Sequence, residues 1–447
     1  MFYKLLPGMT ILALLLCCSC KKYLAAKSDQ RLSTPSSLQD LRTLLDNYGD
    51  LNVAMSASNA AADEYFMLDA DWSGYNELGK NSYIWHPATQ NNSDWVIAYR
   101  AVFIANTVLD QLQTIPASDN RDLWNELKGA ALFFRAHHFF QLAQIFAMPY
   151  QKGSALNGPG IPLRLSSDFN QPTQRADLDQ TYERIQTDLR EALLLLPSTP
   201  IHATRPGKGA AYGMLSRVAL ITGDYELAGR YADSGLNLSS DLMDYNTLDA
   251  GVSAPVPRFN EEVIFYTNTS APVNATSRAK TDSNLYKSYQ DDDLRKVVFF
   301  ADNGDGTYRF KGSYNNSRTS LFNGIATDEL YLTRAECYAR RDNGVAAIEQ
   351  LNKLLIKRWK RGRFVPLTAS GSAEALALVL RERKKELVYR GTRWWDIRRF
   401  SLEPAEAMTL IRLIEGQEYV LPPGDRRYAF LIPEDVVNLT GIEQNAR

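Results

Sequence analysis

Between residues 51 and 98 a run of small residues (Ser56, Ala57, Ser58, Ala60, Ala61) leads into Asp63, Glu64, Tyr65, Phe66, Asp69, Asp71, Trp72, Tyr75, Tyr83 and Trp85. Aromatic rings and carboxylates gathered on one stretch are what a carbohydrate site needs: sugar rings stack on indole and phenol faces, while acids and amides take the hydroxyls. The same residues also serve a loop that folds back onto its own domain, and both readings stay open. Trp72, Tyr75, Tyr83 and Trp85 are the candidate ligand-binding residues, joined by Tyr314 from a later irregular stretch. Trp95 is assigned to packing instead. Glu64 with Asp69 or Asp71 is the one carboxylate pair that could cleave a glycosidic bond. Acids are abundant enough for such pairs to arise by accident, so no enzyme is expected.

Other chemistry finds little support. The four histidines (His86, His137, His138, His202) form no H-x-x-x-H or H-E-x-x-H arrangement, and only Cys337 lies in the body of the chain. That leaves no disulfide framework, no metal motif and no cofactor. Asp302-Asn303-Gly304-Asp305-Gly306 hints at a calcium loop, but aligning Gly306 to loop position six puts Ala301 at the first ligand position. A tight turn is the better reading. Net charge is −1 over 447 residues, with 45% hydrophobic and 23% charged residues, so no global field recruits nucleic acid. The basic run Lys357–Arg363 is expected on a solvated helix face balanced by acids such as Glu382.

The elements that must hold these residues are mostly helical. Trp95 and Tyr99 open a helix continued by Val102, Phe103, Asn106 and Leu109; Asp122–Phe146 forms the next, with His137 and His138 in its core face. Tyr182, Ile185, Leu189, Ala192 and Leu196 mark a helix capped by Asp179 or Thr181 and ended by Pro197. Small residues and tyrosines in 209–238, and again in 331–359, fit tetratricopeptide-like hairpins. Residues 240–325 read as a long irregular insertion, carrying Tyr266, Tyr286, Tyr289, Tyr308 and Tyr314. A helix then enters 381–400, RERKKELVYRGTRWWDIRRF, with Glu386 and Arg390 at i, i+4 and Gly391 closing it. Thr392 is expected to cap a second short helix carrying Trp394, Trp395, Ile397 and Phe400, with arginines stacked on the indoles.

The N-terminus reads as a targeting segment. Lys4 precedes an apolar run, Met9–Leu16, too short to span a bilayer, which ends in Cys17-Cys18-Ser19-Cys20. A small residue before a cysteine resembles the bacterial lipoprotein signal. Cys20 is the chosen acylation site, with Cys17 and Cys18 as alternatives. Several acyl chains on one cysteine would hold the protein on a membrane without a transmembrane helix.

ERKKEL followed by RGTRWWDIRR resembles the C-terminal signature of the SusD/RagB family of outer-membrane lipoproteins. GAALFFRAHHFFQLAQIF with MPY and IPLRL, the Tyr182–Pro197 spacing and the ending FLIPEDVVNLTGIEQNAR are similar to that family too. The resemblance implies an all-α, SusD-like scaffold of tetratricopeptide-like hairpins with long irregular ligand-side loops. The divisions expected are a signal peptide at 1–19, an N-terminal helical region at 20–238, the insertion at 239–325 and a C-terminal region at 326–447. It also implies a surface-exposed, lipid-anchored protein of Bacteroidetes-type outer membranes. Such a protein captures an oligosaccharide or a peptide and hands it to a SusC-like TonB-dependent transporter. A helical-repeat adaptor without its own ligand is the remaining class.

Overall fold

The computed structural model describes residues 35–154, 157–270 and 278–447; the signal segment with Cys17, Cys18 and Cys20 lies outside them. Helix α1 (Leu38–Leu45) starts at Ser37, which takes the Asp40 N–H in a reciprocal capping box. The stretch expected to be mostly loop is more ordered than its patternless sequence indicates. It holds α2 (Tyr48–Leu51), α3 (Ala57–Ala61), strand β1 (Tyr65–Phe66), α4 (Asp69–Ser73) and α5 (Glu77–Tyr83). Each is too short for periodicity to register, and α3 is buried on every side.

Two long helices follow, α6 (Asn92–Leu112) and α7 (Arg121–Phe146), each capped by an asparagine side chain. From Gly129 to Phe146 every residue of α7 is buried, making it the axis of the main core. His137 and His138 sit inside that core, with His138 Nε2 3.0 Å from the Leu51 carbonyl oxygen. Strands β2 (Pro159–Pro162) and β3 (Arg175–Asp177) lead to α8 (Leu178–Leu195). Its cap is Asp177, not the expected Asp179 or Thr181, again in a capping box with Gln180.

Helices α9 (Lys208–Ile221) and α10 (Tyr225–Leu238) form the first expected hairpin. The insertion then resolves into short pieces: β4 (Val263–Phe265), β5 (Asn268–Ser270), β6 (Lys280–Thr281), α11 (Ser283–Lys287), α12 (Arg295–Phe299), β7 (Phe300–Asp302), β8 (Tyr308–Phe310), β9 (Ser320–Phe322) and β10 (Ile325–Ala326). The suspected calcium loop is the turn of the β7–β8 hairpin, where Gly304 and Gly306 take positive φ. The second hairpin is α13 (Thr327–Arg340) with α14 (Gly344–Leu355). It is followed by α15 (Ser372–Glu386), α16 (Thr392–Phe400), the hairpin β11 (Leu410–Ile414)–β12 (Gln417–Leu421) and α17 (Glu434–Thr440). Successive helices from α6 to α10 pack on one another, and α10 packs on α13, so one helical stack runs through the insertion. Sheets among the described residues are two-stranded and antiparallel, and β1 pairs with the distant β6.

The arginine-rich signature is an internal scaffold. Trp394 is fully buried and stacks on Tyr428 at 5.5 Å; Trp395 meets Phe140 edge-on at 5.1 Å. The expected Glu386–Arg390 pair does not form. Glu386 sits between Arg358 (2.6 Å) and Arg295 (3.0 Å), while Arg390 reaches Asp328 at 3.1 Å. Arg358, placed by the sequence reading on a solvated face, is fully buried and also binds Glu262 at 2.7 Å. Four-residue spacing on one helix loses here to partners brought in by other helices. Thr392 is the first residue of α16, and its cap position falls on Gly391 at φ 75°. A Cβ on Gly391 would stand 2.2 Å from the Asn323 amide. The ring partners of Arg390 are Tyr314 and Phe322; the signature arginines do not stack on the indoles as expected, and the cation over Trp395 is Arg217.

Candidate functional site

Four of the five candidate aromatics are buried, and three of those offer no face to a ligand. Trp85 is held at φ 53°, and its indole N–H donates to the Ala61 carbonyl at 3.0 Å. The Arg412 guanidinium, from β11, lies over Trp85, Tyr83 and Tyr65 at 5.1, 4.3 and 5.1 Å. The Tyr83 hydroxyl accepts the Met67 N–H at 3.0 Å. Tyr314 donates its hydroxyl proton to Glu262 at 2.6 Å beneath Arg390. These three residues are corrected to core positions. Without a period to separate inward from outward side chains, composition does not distinguish a sugar platform from packing.

Trp72 and Tyr75 remain at the surface of that core. Trp72 is half-buried on α4, with Lys80 Nζ 5.1 Å from its ring centre, and its indole N–H has no acceptor among the described residues. Tyr75 is 9% exposed and lies flat against Gly79, where a Cβ would overlap the ring at 1.5 Å. Asn76 starts α5 by accepting the Gly79 N–H at 2.8 Å, so cap and glycine together hold the tyrosine. Arg278 lies over the Tyr75 ring at 5.7 Å. Burial raises the Tyr75 hydroxyl pKa, partly offset by Arg278.

The rim around Trp72 is tied to three other segments. Asp71 reaches Lys280 of β6 at 3.6 Å, and β6 lies beside β8. Asp69 accepts the Glu415 N–H at the tip of the β11–β12 hairpin at 2.9 Å. Half-buried Tyr286, Tyr308 and Tyr419 pack on the same aromatic core as Trp72, the first two stacked at 3.5 Å. Sequence reasoning named Tyr286 and Tyr308 among the insertion's aromatics without choosing them for the site, and did not single out Tyr419, because the packing of segments far apart in the chain places them there. Tyr308 stood two residues past a glycine turn, which was the available signal.

The suspected carboxylate pair is not assembled for catalysis. Glu64 is fully buried, receives the Tyr389 N–H at 2.9 Å, and is pushed up to about 8 by burial. Asp69 and Asp71 are engaged on the rim as above. Asp63, beside Glu64, is clamped by Arg393 (2.6 and 2.9 Å) and Lys384 (2.9 Å) at the edge of a cavity of about 360 Å³. A separate pocket of about 300 Å³ is lined by Trp95, Tyr99, Phe103 and Phe169. Its polar groups are committed internally, with Asn106 donating to the Arg164 carbonyl and Ser167 to Asp110. Among the described residues there is no cluster of metal-ligating side chains, and no helix is long and apolar enough to cross a membrane.

Residues 22–220 match the SusD-like family described as starch-binding and associating with the outer membrane, and residues 257–430 match the SusD family. The chain belongs to the SusD/RagB family. Members of this family are non-catalytic binding proteins associated with the outer membrane. A SusD-like protein P2 of Formosa agariphila is 25% identical over 372 residues, 69% of this chain and 71% of that one. The fold of this SusD/RagB chain is shared with a SusD superfamily protein of Bacteroides thetaiotaomicron (TM-score 0.75, 20% identity, 92% and 100% of the two chains). A SusD-like carbohydrate-binding protein of Bacteroides vulgatus matches with TM-score 0.69 and 19% identity over 91% and 97%. A laminarin-binding SusD-like protein matches with TM-score 0.66 and 17% identity over 91% and 97%.

Proposed function

We propose that this protein captures an oligosaccharide at the Trp72–Tyr75 rim and delivers it to a partner TonB-dependent transporter of the outer membrane, to which acylated Cys20 tethers it. The observation that carries the reading is the half-buried Trp72 indole with a cation beside it, on a rim built from α4, β6 and the β11–β12 tip. An indole face with the Lys80 ammonium beside it suits a pyranose, whose two faces carry C–H groups and whose edge carries hydroxyls. The family match and the carbohydrate-binding and laminarin-binding relatives support a glycan over a peptide. The lipoprotein-like Ser19-Cys20 supports the anchor.

Calorimetry of the purified protein against neutral oligosaccharides and peptide digests tests this. Saturable binding of a glycan, weakened about tenfold (about 1.4 kcal/mol) by Trp72→Ala, is expected. Binding of peptides alone, or glycan binding indifferent to Trp72→Ala, would remove the rim from the role.

A further inference from the structure

Away from the Trp72 rim, Phe259 adopts φ 55° while leaving its ring 38% exposed. That backbone region is costly for an L-aromatic, and burial repays little of the cost here. The ring is held by its neighbours: His202 edge-on at 4.6 Å, Tyr266 at 4.9 Å, and the exposed Arg258, whose guanidinium lies 4.7 Å from Phe259 and 4.6 Å from Tyr266. Arg258 is thus pre-positioned between two rings, and it forms no ion pair among the described residues. The acids nearby are spent or distant. Asp46 is gripped by Arg205 at 2.7 and 2.6 Å, Glu262 is buried against Arg358, and exposed Glu261 lies beyond ion-pair distance of Arg258.

Two further donors face outward. His202 Nδ1 accepts the Thr204 N–H at 3.2 Å and lies 2.8 Å from the Thr204 hydroxyl, which leaves Nε2 as the outward donor, without a partner among the described residues. Asn315 Oδ1 accepts the Tyr266 hydroxyl, and its Nδ2 amide group has no partner among the described residues. Tyr48, 57% exposed, opens the short helix α2, whose following residue Asn52 donates to the carbonyls of Tyr266 and Thr204 at 2.7 and 2.9 Å. Donors without acids favour an anion, and exposed rings favour the face of a sugar.

We propose that Arg258, His202 and Asn315, framed by Phe259 and Tyr48, form a second site that binds a pyranose unit carrying a carboxylate or a sulfate. Its guanidinium, fixed by two rings, meets the anionic group in a two-pronged contact, while Phe259 and Tyr48 cover the sugar face. The site stands independently of glycan capture at Trp72.

The test is calorimetry of the purified protein with three oligomers of equal length: a polygalacturonate fragment, a carrageenan fragment (sulfated and free of carboxylates) and a neutral maltooligosaccharide. Tighter binding of an acidic oligomer is expected, weakened at least tenfold by Arg258→Gln and partly restored by Arg258→Lys, with neutral binding unchanged. Preference for the uronate or the sulfated fragment identifies the anionic group. Acidic oligomers binding no better than the neutral one, or indifferent to Arg258→Gln, would overturn the proposal. So would equal competition by sodium sulfate, which would reduce the site to a plain anion site. Neutral binding lost in Trp72→Ala but kept in Arg258→Gln would leave the capture reading standing, whichever way the acidic oligomers behave.

Discussion

Asp63 and Glu64 are neighbours in the chain with opposite charge states. Burial works against the ionised form of both; Arg393 and Lys384 overcome it at Asp63, whose pKa falls well below the usual carboxylate range. At Glu64 burial, reinforced by the Asp63 charge, outweighs the Tyr389 N–H and the more distant Arg393 and Lys384, and the pKa rises from 4.5 to about 8. With the folded value above the unfolded one, Glu64 contributes stability that is fully present below about pH 4.5 and is lost as pH rises through 8. Glu64→Gln is therefore expected to flatten this part of the pH–stability curve and to stabilise the protein at pH 8.5 by on the order of 2 kcal/mol. Urea unfolding of both proteins between pH 5 and pH 9 measures it; parallel curves would show that Glu64 ionises normally. Nothing in Asp63-Glu64 as letters separates the two, since the clamp comes from residues some 320 positions away. The same limit explains why Trp72 and Trp85 looked alike in sequence, although one is half-buried and the other is locked at positive φ beneath Arg412.

Elements were more legible than residues. The long helices α6, α7 and α8 and both hairpins stand where hydrophobic spacing places them, because several turns of repeated burial leave a mark in sequence. The short helices of 51–83 and the strand pairs of the insertion left none, since two to seven residues do not establish a period and β1 finds its partner more than 200 residues later. The α15–α16 signature was visible, but its physical meaning was not. Its buried charges join elements inside the fold; α16 is bound to α13 through Glu336, which takes Arg399 at 2.5 and 2.8 Å and Arg340 at 2.7 Å. Burial opposes ionisation of Glu336, but the two guanidinium groups outweigh it and bring it down to about 2. Glu336→Ala leaves Arg399 with Asp396 and Arg340 with Glu403 as their remaining acids and is expected to cost about 3 kcal/mol. Lys360→Ala, which removes only the exposed pair with Asp292, is expected to cost less than about 1 kcal/mol. Thermal and denaturant unfolding of the two variants compares them directly; equal losses would mean that the buried network is not a structural keystone.

For the whole molecule, sequence order and spatial order diverge. The core around α7 takes Trp394 and Trp395 from α16 and Tyr428, Phe430 and Ile432 from the region before α17. Arg398 adds hydrogen bonds to the carbonyls of Ala143 and Ala147 at the end of α7, at 3.3 and 2.6 Å. Residues up to 238 therefore expose a large apolar socket when the remainder is absent. Such a fragment is expected to keep helical far-ultraviolet circular dichroism, lose near-ultraviolet signal and bind a hydrophobic dye. A sharp, cooperative unfolding transition of that fragment would show instead that it is autonomous. The position of the two tryptophans also bears on biosynthesis. A nascent chain emerges with α6 to α8 already made, yet the side chains that seal their core follow about 200 residues later. Until residue 400 has appeared the chain lacks its closing plug and stays loosely packed. Through that delay the nascent polypeptide is expected to stay open to chaperones and proteases, which the finished fold excludes.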